Sequence, residues 1–166
     1  MPNIIGHCWQ PNRPSEILRT LEIKYKSESK NMSMSLAQKL AADSVAAVAE
    51  GRNLQDVLAE IRAAHPQLTA QENGALQDIA YGCQRYLGSL KYMLGQMLKK
   101  PIDNPQLESL LLAAMYQLHY TRNAPHAVVN EAVESIAKIG RGQFRSFANA
   151  ILRRFLRERE IGRAHV

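Results

Sequence analysis

The sequence predicts an all-α protein. Between residues 35 and 160, apolar residues recur every three or four positions, which is the spacing of one face of an α-helix. Proline, glycine and helix-capping residues divide this region, and no segment alternates apolar and polar residues as a half-buried strand does. A chain of 166 residues is long enough to form one domain with a sizeable core. We therefore expect a single helical bundle.

The first two helices are predicted from their ends. A stripe of leucine, valine and alanine begins at Leu36 and is followed by Gly51, which suits the position just after a helix because glycine readily adopts a left-handed backbone. Asn53 is a typical N-cap residue for a second helix, and the pair His65-Pro66 closes that helix.

A third helix is predicted to begin at Thr69. Glu72 follows three positions later, and this spacing forms a capping box in which each residue bonds the other's backbone. The apolar stripe then continues from Leu76 to Met97, which is long for a single straight helix. The glycines within this stretch predict a bend or a break into two helices: Gly82, Gly88 and Gly95.

The remaining helices are opened by prolines or follow a glycine-rich turn. Pro105 and Pro125 each precede an apolar pattern, and proline is well suited to the first position of a helix. Gly140 ends the second of these helices, and the final helix follows the segment GRGQF. We expect the apolar stripe of the final helix to hold it to the core, through Phe144, Phe147, Ala148, Ile151, Leu152 and Phe155.

Residues 1–34 differ from the helical region and carry prolines without a sustained period, so we predict an irregular extension there. The predicted domain covers residues 35–160, and residues 161–166 form a C-terminal tail. Neither a secretion signal nor an apolar run long enough to cross a bilayer is recognisable. The two cysteines, Cys8 and Cys83, form no disulfide framework, and we expect a cytoplasmic protein that does not associate with membranes.

The charge of the chain favours an anionic partner. The formal net charge is +6 and the sequence pI is about 9.5. Residues 138–160 concentrate cations against only two carboxylates, Glu158 and Glu160. This face is either merely solvated or suited to the RNA backbone, since guanidinium groups pair with phosphate oxygens. The candidate RNA-binding residues are Lys138, Arg141, Arg145, Arg153, Arg154 and Arg157.

Other polar patterns predict no chemistry. The five histidines show no metal-binding spacing, and Glu131 and Glu134 are interpreted as surface carboxylates. Tyr116 and Tyr120, one turn apart, are interpreted as packing residues rather than as a platform for stacking bases. We therefore predict no catalytic, cofactor-binding or metal-binding residue.

A resemblance to a known family adds to these expectations. The segments MYQLHYTRNAPHAVVNEAVESIAK and FRSFANAILRRF resemble the N-terminal domain of the Sun/Fmu-type bacterial 16S rRNA cytosine-C5 methyltransferases, which is itself similar to the antitermination factor NusB. The upstream segment YGCQRYLGSL resembles the Gly-x-x-Arg segment of the family through Gly82 and Arg85. The other matching elements are Tyr116-Gln117-Leu118, Pro125-His126-Ala127, Asn130-Glu131, Val133, Asn149 and Leu152-Arg153.

The resemblance implies a NusB-like helical bundle that binds RNA, with 16S rRNA as the expected partner. The family's enzymes use S-adenosylmethionine, a glycine-rich loop and a Pro-Cys nucleophile in a downstream domain. This sequence contains no Pro-Cys pair, so we expect a fragment, a truncated product or a stand-alone module without catalytic activity or its own cofactor.

Two other functions remain open at this point. The favoured function is an RNA-binding module that delivers a methyltransferase domain to ribosomal RNA. The first alternative is an antitermination-type factor that binds RNA together with a ribosomal protein. The second is an interaction domain that docks its own methyltransferase domain without touching RNA. NusB-like proteins often begin their first helix with an arginine-rich RNA-binding segment. Here Lys39 is the only cation of that helix, so the chain departs from the family pattern there, and we expect RNA contacts at the basic far end of the chain instead.

Overall fold

The computed structural model describes the backbone of residues 35–164 and the side chains of residues 35–159. No strand occurs in the described part of the chain, which confirms the predicted all-α class. The predicted extension at residues 1–34 lies outside the described residues. The helices are α1 (residues 35–49), α2 (Leu54–Ala64), α3 (Ala70–Arg85), α4 (Leu87–Met97), α5 (Pro105–Tyr120), α6 (Pro125–Ala137) and α7 (Arg145–Ala164), with a 3-10 turn at Gly140–Gly142 between the last two.

The ends of α1 and α2 are formed by local hydrogen bonds. Gly51 has φ +97°, and its N–H donates to the carbonyl of Val48 at 2.9 Å. The next N–H, from Arg52, donates to the carbonyl of Ala47 at 3.2 Å, so α1 ends in a Schellman motif. Asn53 then accepts from the N–H of Gln55 at 2.8 Å. The predicted cap residues of both helices are confirmed.

The predicted capping box and the predicted break lie at the two ends of α3. The Thr69 hydroxyl accepts from the Glu72 N–H at 3.2 Å, and the Glu72 carboxylate accepts from the Thr69 N–H at 2.6 Å. The helix ends at Tyr86, whose φ of −107° and ψ of 16° separate α3 from α4. The break therefore falls between the glycines that predicted it, Gly82 and Gly88.

Helix α5 forms the centre of the bundle. Its residues are buried from Leu107 to Leu118 except for the half-buried Glu108, and it packs against α3, α4, α6 and α7. Leu111, Leu112 and Met115 are almost completely inaccessible to solvent. Each such side chain contributes roughly 1.5–3 kcal/mol through the removal of apolar surface from water. Because α5 contacts these four helices and also bonds α1 through Gln117, it fixes the position of α7 relative to the rest of the domain.

The apolar stripe predicted for α7 is wrong at one residue, Phe147. Ala148, Ile151, Leu152 and Phe155 are buried as expected, but Phe147 is 36% exposed. At 100° per residue, Phe147 lies about 90° from the centre of the buried face, so it meets the core only at its edge. Its ring lines a cavity of about 760 Å³ together with Phe144 and the connection between α4 and α5. The helix also runs to Ala164, beyond residue 160, the predicted end of the domain.

Candidate nucleic-acid interface

The 3-10 turn between α6 and α7 presents Arg141 in an unusual backbone conformation. Gly140, Arg141 and Gly142 have φ of +58°, +56° and +85°, so three successive residues lie in the left-handed region. Glycine adopts this conformation freely, whereas a residue with a β-carbon is disfavoured there by roughly 1–2 kcal/mol. Arg141 is exposed, and the two flanking glycines allow the tight turn that carries its guanidinium group into solvent.

The predicted cations of α7 lie on the face away from the core. Arg153, Arg154 and Arg157 are exposed, while Leu152 and Phe155 beside them in the sequence are buried. Lys138, at the end of α6, is exposed as well. Helix α7 packs against α6, and α6 contacts the 3-10 turn, so neighbouring elements of one part of the bundle carry all six candidates.

Two of the six cations are engaged by carboxylates. Arg145 Nη2 donates to Glu134 Oε1 on α6, and Arg154 Nε donates to Glu158 Oε1 at 2.6 Å. Arg154 also donates from Nη1 to the carbonyl of Met97 at 3.4 Å, which links α7 to the end of α4. The excess of positive over negative charge on this surface is therefore smaller than the sequence of residues 138–160 suggested, because Glu134 of α6 adds a carboxylate to it.

The other candidate cations are available to an anion. Lys138, Arg141 and Arg157 form no side-chain hydrogen bond or ion pair within the part of the chain that the structure describes. Arg153 donates from Nε to Asn149 Oδ1 at 2.9 Å, and this neutral acceptor leaves its charge uncompensated. Exposed, uncompensated cations are suited to phosphate contacts, since each contact releases counterions from the nucleic acid.

The two glutamates of α6 differ in environment. Glu134 is exposed and engages Arg145, in agreement with its interpretation as a surface carboxylate. Glu131 is half-buried, and burial raises the pKa of its carboxyl to about 7. Glu131 is thus less exposed than Glu134, and its partial removal from water disfavours its charged form.

A cluster of tyrosines forms where the α3–α4 break meets the end of α5. The rings of Tyr86 and Tyr120 are stacked with centroids 4.0 Å apart, and the centroid of Tyr116 is 5.6 Å from that of Tyr120. Tyr116 is buried, as the packing interpretation requires, but Tyr120 is 37% exposed. Burial and the nearby Asp78 raise the pKa of Tyr116 to about 12, so its hydroxyl stays protonated and donates to Asp78 Oδ1 at 3.3 Å.

Sequence reasoning missed the position of Tyr86 in this cluster. The spacing of Tyr116 and Tyr120 by one turn was a visible signal, but their partner comes from a break thirty residues earlier in the chain. The histidines gave no comparable signal in the sequence. In the structure, the ring of His119 packs edge-on against that of Tyr120, with the ring centroids 4.6 Å apart. Within residues 35–159, no group of three or more His, Cys, Asp or Glu side chains is placed to hold a metal ion.

The sequence pattern of the NusB family matches residues 35–157, which cover all the helices described above except the end of α7. The chain belongs to the NusB family. Helices α1 to α7, with α5 at their centre, are thus the form that the NusB-family domain takes in this chain.

Curated relatives contain the same NusB-family region. Ribosomal RNA small subunit methyltransferase B of Sodalis glossinidius (strain morsitans) is 35% identical over 122 residues, which are 72% of this chain and 28% of the relative. The protein of the same name from Cronobacter sakazakii (strain ATCC BAA-894) is 32% identical over 124 residues, 73% of this chain and 28% of the relative. The chain therefore spans less than a third of the length of these relatives.

Several residues that carry the family resemblance have structural roles in this NusB-family domain. A β-carbon at Gly82 would lie 2.0 Å from Cζ of Tyr116, so only glycine permits the observed packing of α3 on α5. Gln117 is buried and accepts from Gln38 on α1. Arg85 lies over the ring of Tyr86, with its guanidinium carbon 5.6 Å from the ring centroid. None of the helices in the described part of the domain is long and apolar enough to span a membrane.

Proposed function

We propose that this chain is an RNA-binding module that holds a methyltransferase catalytic domain on ribosomal RNA, with 16S rRNA as the target. The observation that carries the proposal is the exposed cationic surface of α6, the 3-10 turn and α7 in a NusB-family domain. The relatives named ribosomal RNA small subunit methyltransferase B support RNA as the partner and methyl transfer as the activity of the parent protein.

The physical basis of binding is electrostatic. Arg153, Arg154 and Arg157 lie along one helix, and Arg141 extends the same charge into the preceding turn. Arginine suits this role because its planar guanidinium group forms paired hydrogen bonds with phosphate oxygens. Such contacts position the RNA without reading its sequence, so this surface supplies affinity and orientation rather than base specificity.

The methyl donor belongs, in this proposal, to the rest of the parent protein. The described residues contain no strand, and a donor site of the kind implied by the family requires a glycine-rich loop between a strand and a helix. We therefore expect S-adenosylmethionine to bind outside the residues described here. No step of methyl transfer is assigned to them.

The test is RNA binding by the variant in which Arg153, Arg154 and Arg157 are all replaced by glutamine. We expect affinity to fall and the dependence of log K on log salt to flatten by roughly 2–3 units, since each phosphate contact contributes about 0.7–0.9. The melting temperature of the variant should be close to that of the wild type, because exposed substitutions usually change stability within about 0.5 kcal/mol. Fluorescence anisotropy with a labelled 16S rRNA fragment across a salt series measures both quantities.

The matched control removes the same charge from another part of the domain. Lys39, Arg52 and Lys91 are exposed and ion-paired with Asp43, Glu60 and Glu108, respectively. Replacing these three cations by glutamine should leave the salt dependence much less altered. An unchanged affinity and salt slope in the α7 variant, or equal effects in both variants, would contradict the assignment of the RNA interface to α7.

A further inference from the structure

The tyrosine cluster borders a cavity that the cationic surface of α7 does not explain. The cavity has a volume of about 420 Å³ and lies between α3, the break at Tyr86 and the end of α5. This size falls within the range of roughly 300–1,000 Å³ that is usual for small-ligand sites. We propose that the cavity, which we call the tyrosine pocket, binds one unpaired guanine base of an RNA strand. Its residues used below are Asp78, Tyr81, Arg85, Tyr86, Tyr116 and Tyr120.

The pocket offers aromatic surface to a planar ligand. Tyr81 and Tyr120 are 40% and 37% exposed, so part of each ring is accessible to a ligand. Tyr120 is supported from behind by its stacking on Tyr86, which holds the ring in a fixed orientation. A base inserted beside these rings stacks without preference for its identity, since every base has a π-face.

The charged groups of the pocket offer contacts to a base and to the phosphate attached to it. Arg85 is exposed and lies against Tyr86, where its guanidinium group can stack on a base or meet the phosphate attached to it. Asp78 is exposed, and within residues 35–159 its carboxylate receives one long hydrogen bond, from Tyr116 at 3.3 Å. A carboxylate accepts hydrogen bonds at two oxygens, which matches the adjacent N1–H and N2–H donors of guanine. No other RNA base presents two such donors side by side.

The mixed charge of the pocket favours a nucleotide over a peptide. Aromatic grooves also bind proline-rich peptides, but those ligands are recognised mainly through apolar contacts. Here an arginine and an aspartate lie beside the rings of Tyr86 and Tyr116. The pocket is also separate from the cationic surface, because none of the six candidate cations of α6, the 3-10 turn and α7 lines it.

This inference rests on the proposed RNA binding and supplies what the α7 surface lacks, namely recognition of a base. The two contributions respond differently to salt. Phosphate contacts set the salt slope, whereas stacking and base-edge hydrogen bonds change affinity without changing that slope. Variants of the tyrosine pocket are therefore distinguishable from variants of α7.

The first experiment titrates the whole chain with guanosine, adenosine, cytidine and uridine 5′-monophosphates and follows the tyrosine ring signals by NMR. We expect guanosine monophosphate to shift the signals of Tyr81 and Tyr120, and the other nucleotides to shift them less. Asp78→Asn should remove the preference for guanosine. Shifts of equal size with all four nucleotides, no shift with any, or shifts caused only by a proline-rich peptide would overturn the proposal.

The second experiment measures binding of single-stranded RNA oligomers that differ only in carrying guanine or adenine. Tyr120→Leu should weaken binding of the guanine oligomer by roughly 10- to 100-fold with an unchanged salt slope. Tyr120→Phe keeps the ring and should retain wild-type affinity, which separates stacking from a merely structural effect. Tyr92→Leu is the matched control, because Tyr92 is 69% exposed on α4 and does not line the pocket.

The outcomes separate the two proposals. If the wild type binds RNA with a steep salt slope but Tyr120→Leu and Asp78→Asn bind equally well, the tyrosine pocket is not a base site and the α7 interface stands. If the nucleotide titration succeeds at the tyrosine pocket but the α7 triple variant is unaffected in RNA binding, the pocket stands and the cationic interface is wrongly placed.

Discussion

The side-chain amide of Gln38 on α1 donates to Oε1 of Gln117 on α5 at 2.6 Å, and both side chains are completely buried. A buried amide loses its hydrogen bonds to water, so Gln117 depends on Gln38 for a partner, and Gln38 depends on Gln117 and on the carbonyl of Val128. Among the residues that the structure describes, Gln38 Oε1 and Gln117 Nε2 have no hydrogen-bond partner. The pair thus fixes the position of α1 on the central helix while leaving half of its own polar atoms unsatisfied.

This arrangement predicts strong coupling between the two positions. Gln117→Leu leaves Gln38 with only the carbonyl of Val128, at 3.5 Å, and should destabilise the domain by about 1–3 kcal/mol. The double replacement by leucine removes the stranded amide and should return stability to within about 1 kcal/mol of the wild type, because both polar groups are then gone. Urea unfolding of the four proteins in a double-mutant cycle measures the coupling. Simple addition of the two single effects would contradict it.

Close packing of Tyr116 on α3 predicts opposite effects for two glycines of the same helix. An alanine β-carbon at Gly82 would lie 2.0 Å from Tyr116 Cζ, so Gly82→Ala should destabilise by about 1–3 kcal/mol. Gly74 has no neighbour within 4 Å of such a β-carbon. Gly74→Ala should therefore stabilise by about 0.4–1 kcal/mol through the reduced freedom of the unfolded chain. Thermal unfolding of both variants tests the pair, and a stabilising Gly82→Ala would show that the observed packing is wrong.

The sequence allowed the helix ends to be predicted because their determinants are local. The capping box of Thr69 and Glu72 and the left-handed Gly51 each depend on residues within one turn of the chain. The contacts that decide the candidate sites are not local. Tyr86, at the break between α3 and α4, stacks on Tyr120 at the end of α5, and Glu134 on α6 pairs with Arg145 on α7. Neither pairing has a sequence spacing that predicts it.

The exposure of Phe147 predicts a contrast within α7. Ile151 is 7% exposed and lies in the core, so Ile151→Ala should destabilise by about 2–5 kcal/mol. Phe147 is one-third exposed and faces the cavity beside the α4–α5 connection, so Phe147→Ala should destabilise clearly less. Urea unfolding measures the two losses of stability, provided that the slope of unfolding free energy against urea concentration is unchanged. Equal losses would place Phe147 in the core, as the apolar stripe had predicted.

The raised pKa of Glu131 predicts a specific dependence of stability on pH. Its carboxyl titrates near pH 7 in the folded state and near 4.5 in the unfolded state, so the folded protein binds the proton more tightly. Folding stability should therefore fall as pH rises from about 4.5 to about 7, and the loss should be constant above that range. Glu131→Gln removes this contribution.

The comparison of Glu131→Gln with the wild type isolates that carboxyl from all other titrating groups. The stability difference between the two proteins should shift in favour of the variant as pH rises through this window. Urea unfolding at pH 4, 6 and 8 measures it. A difference independent of pH would mean that Glu131 titrates normally in the folded domain.

The ion pair between Glu134 and Arg145 predicts a variant that binds RNA more tightly. Glu134→Gln leaves Arg145 without its carboxylate and raises the positive charge of the α6–α7 surface. RNA affinity should increase, and the salt slope should steepen by about 0.7–0.9 if Arg145 gains one phosphate contact. Stability should change by less than about 1 kcal/mol, because exposed ion pairs contribute little.

The control for this prediction is Glu60→Gln. It makes the same charge change and releases Arg52, the exposed partner of Glu60. Equal gains from both variants would reflect net charge alone, and no gain from Glu134→Gln would remove Arg145 from the RNA interface.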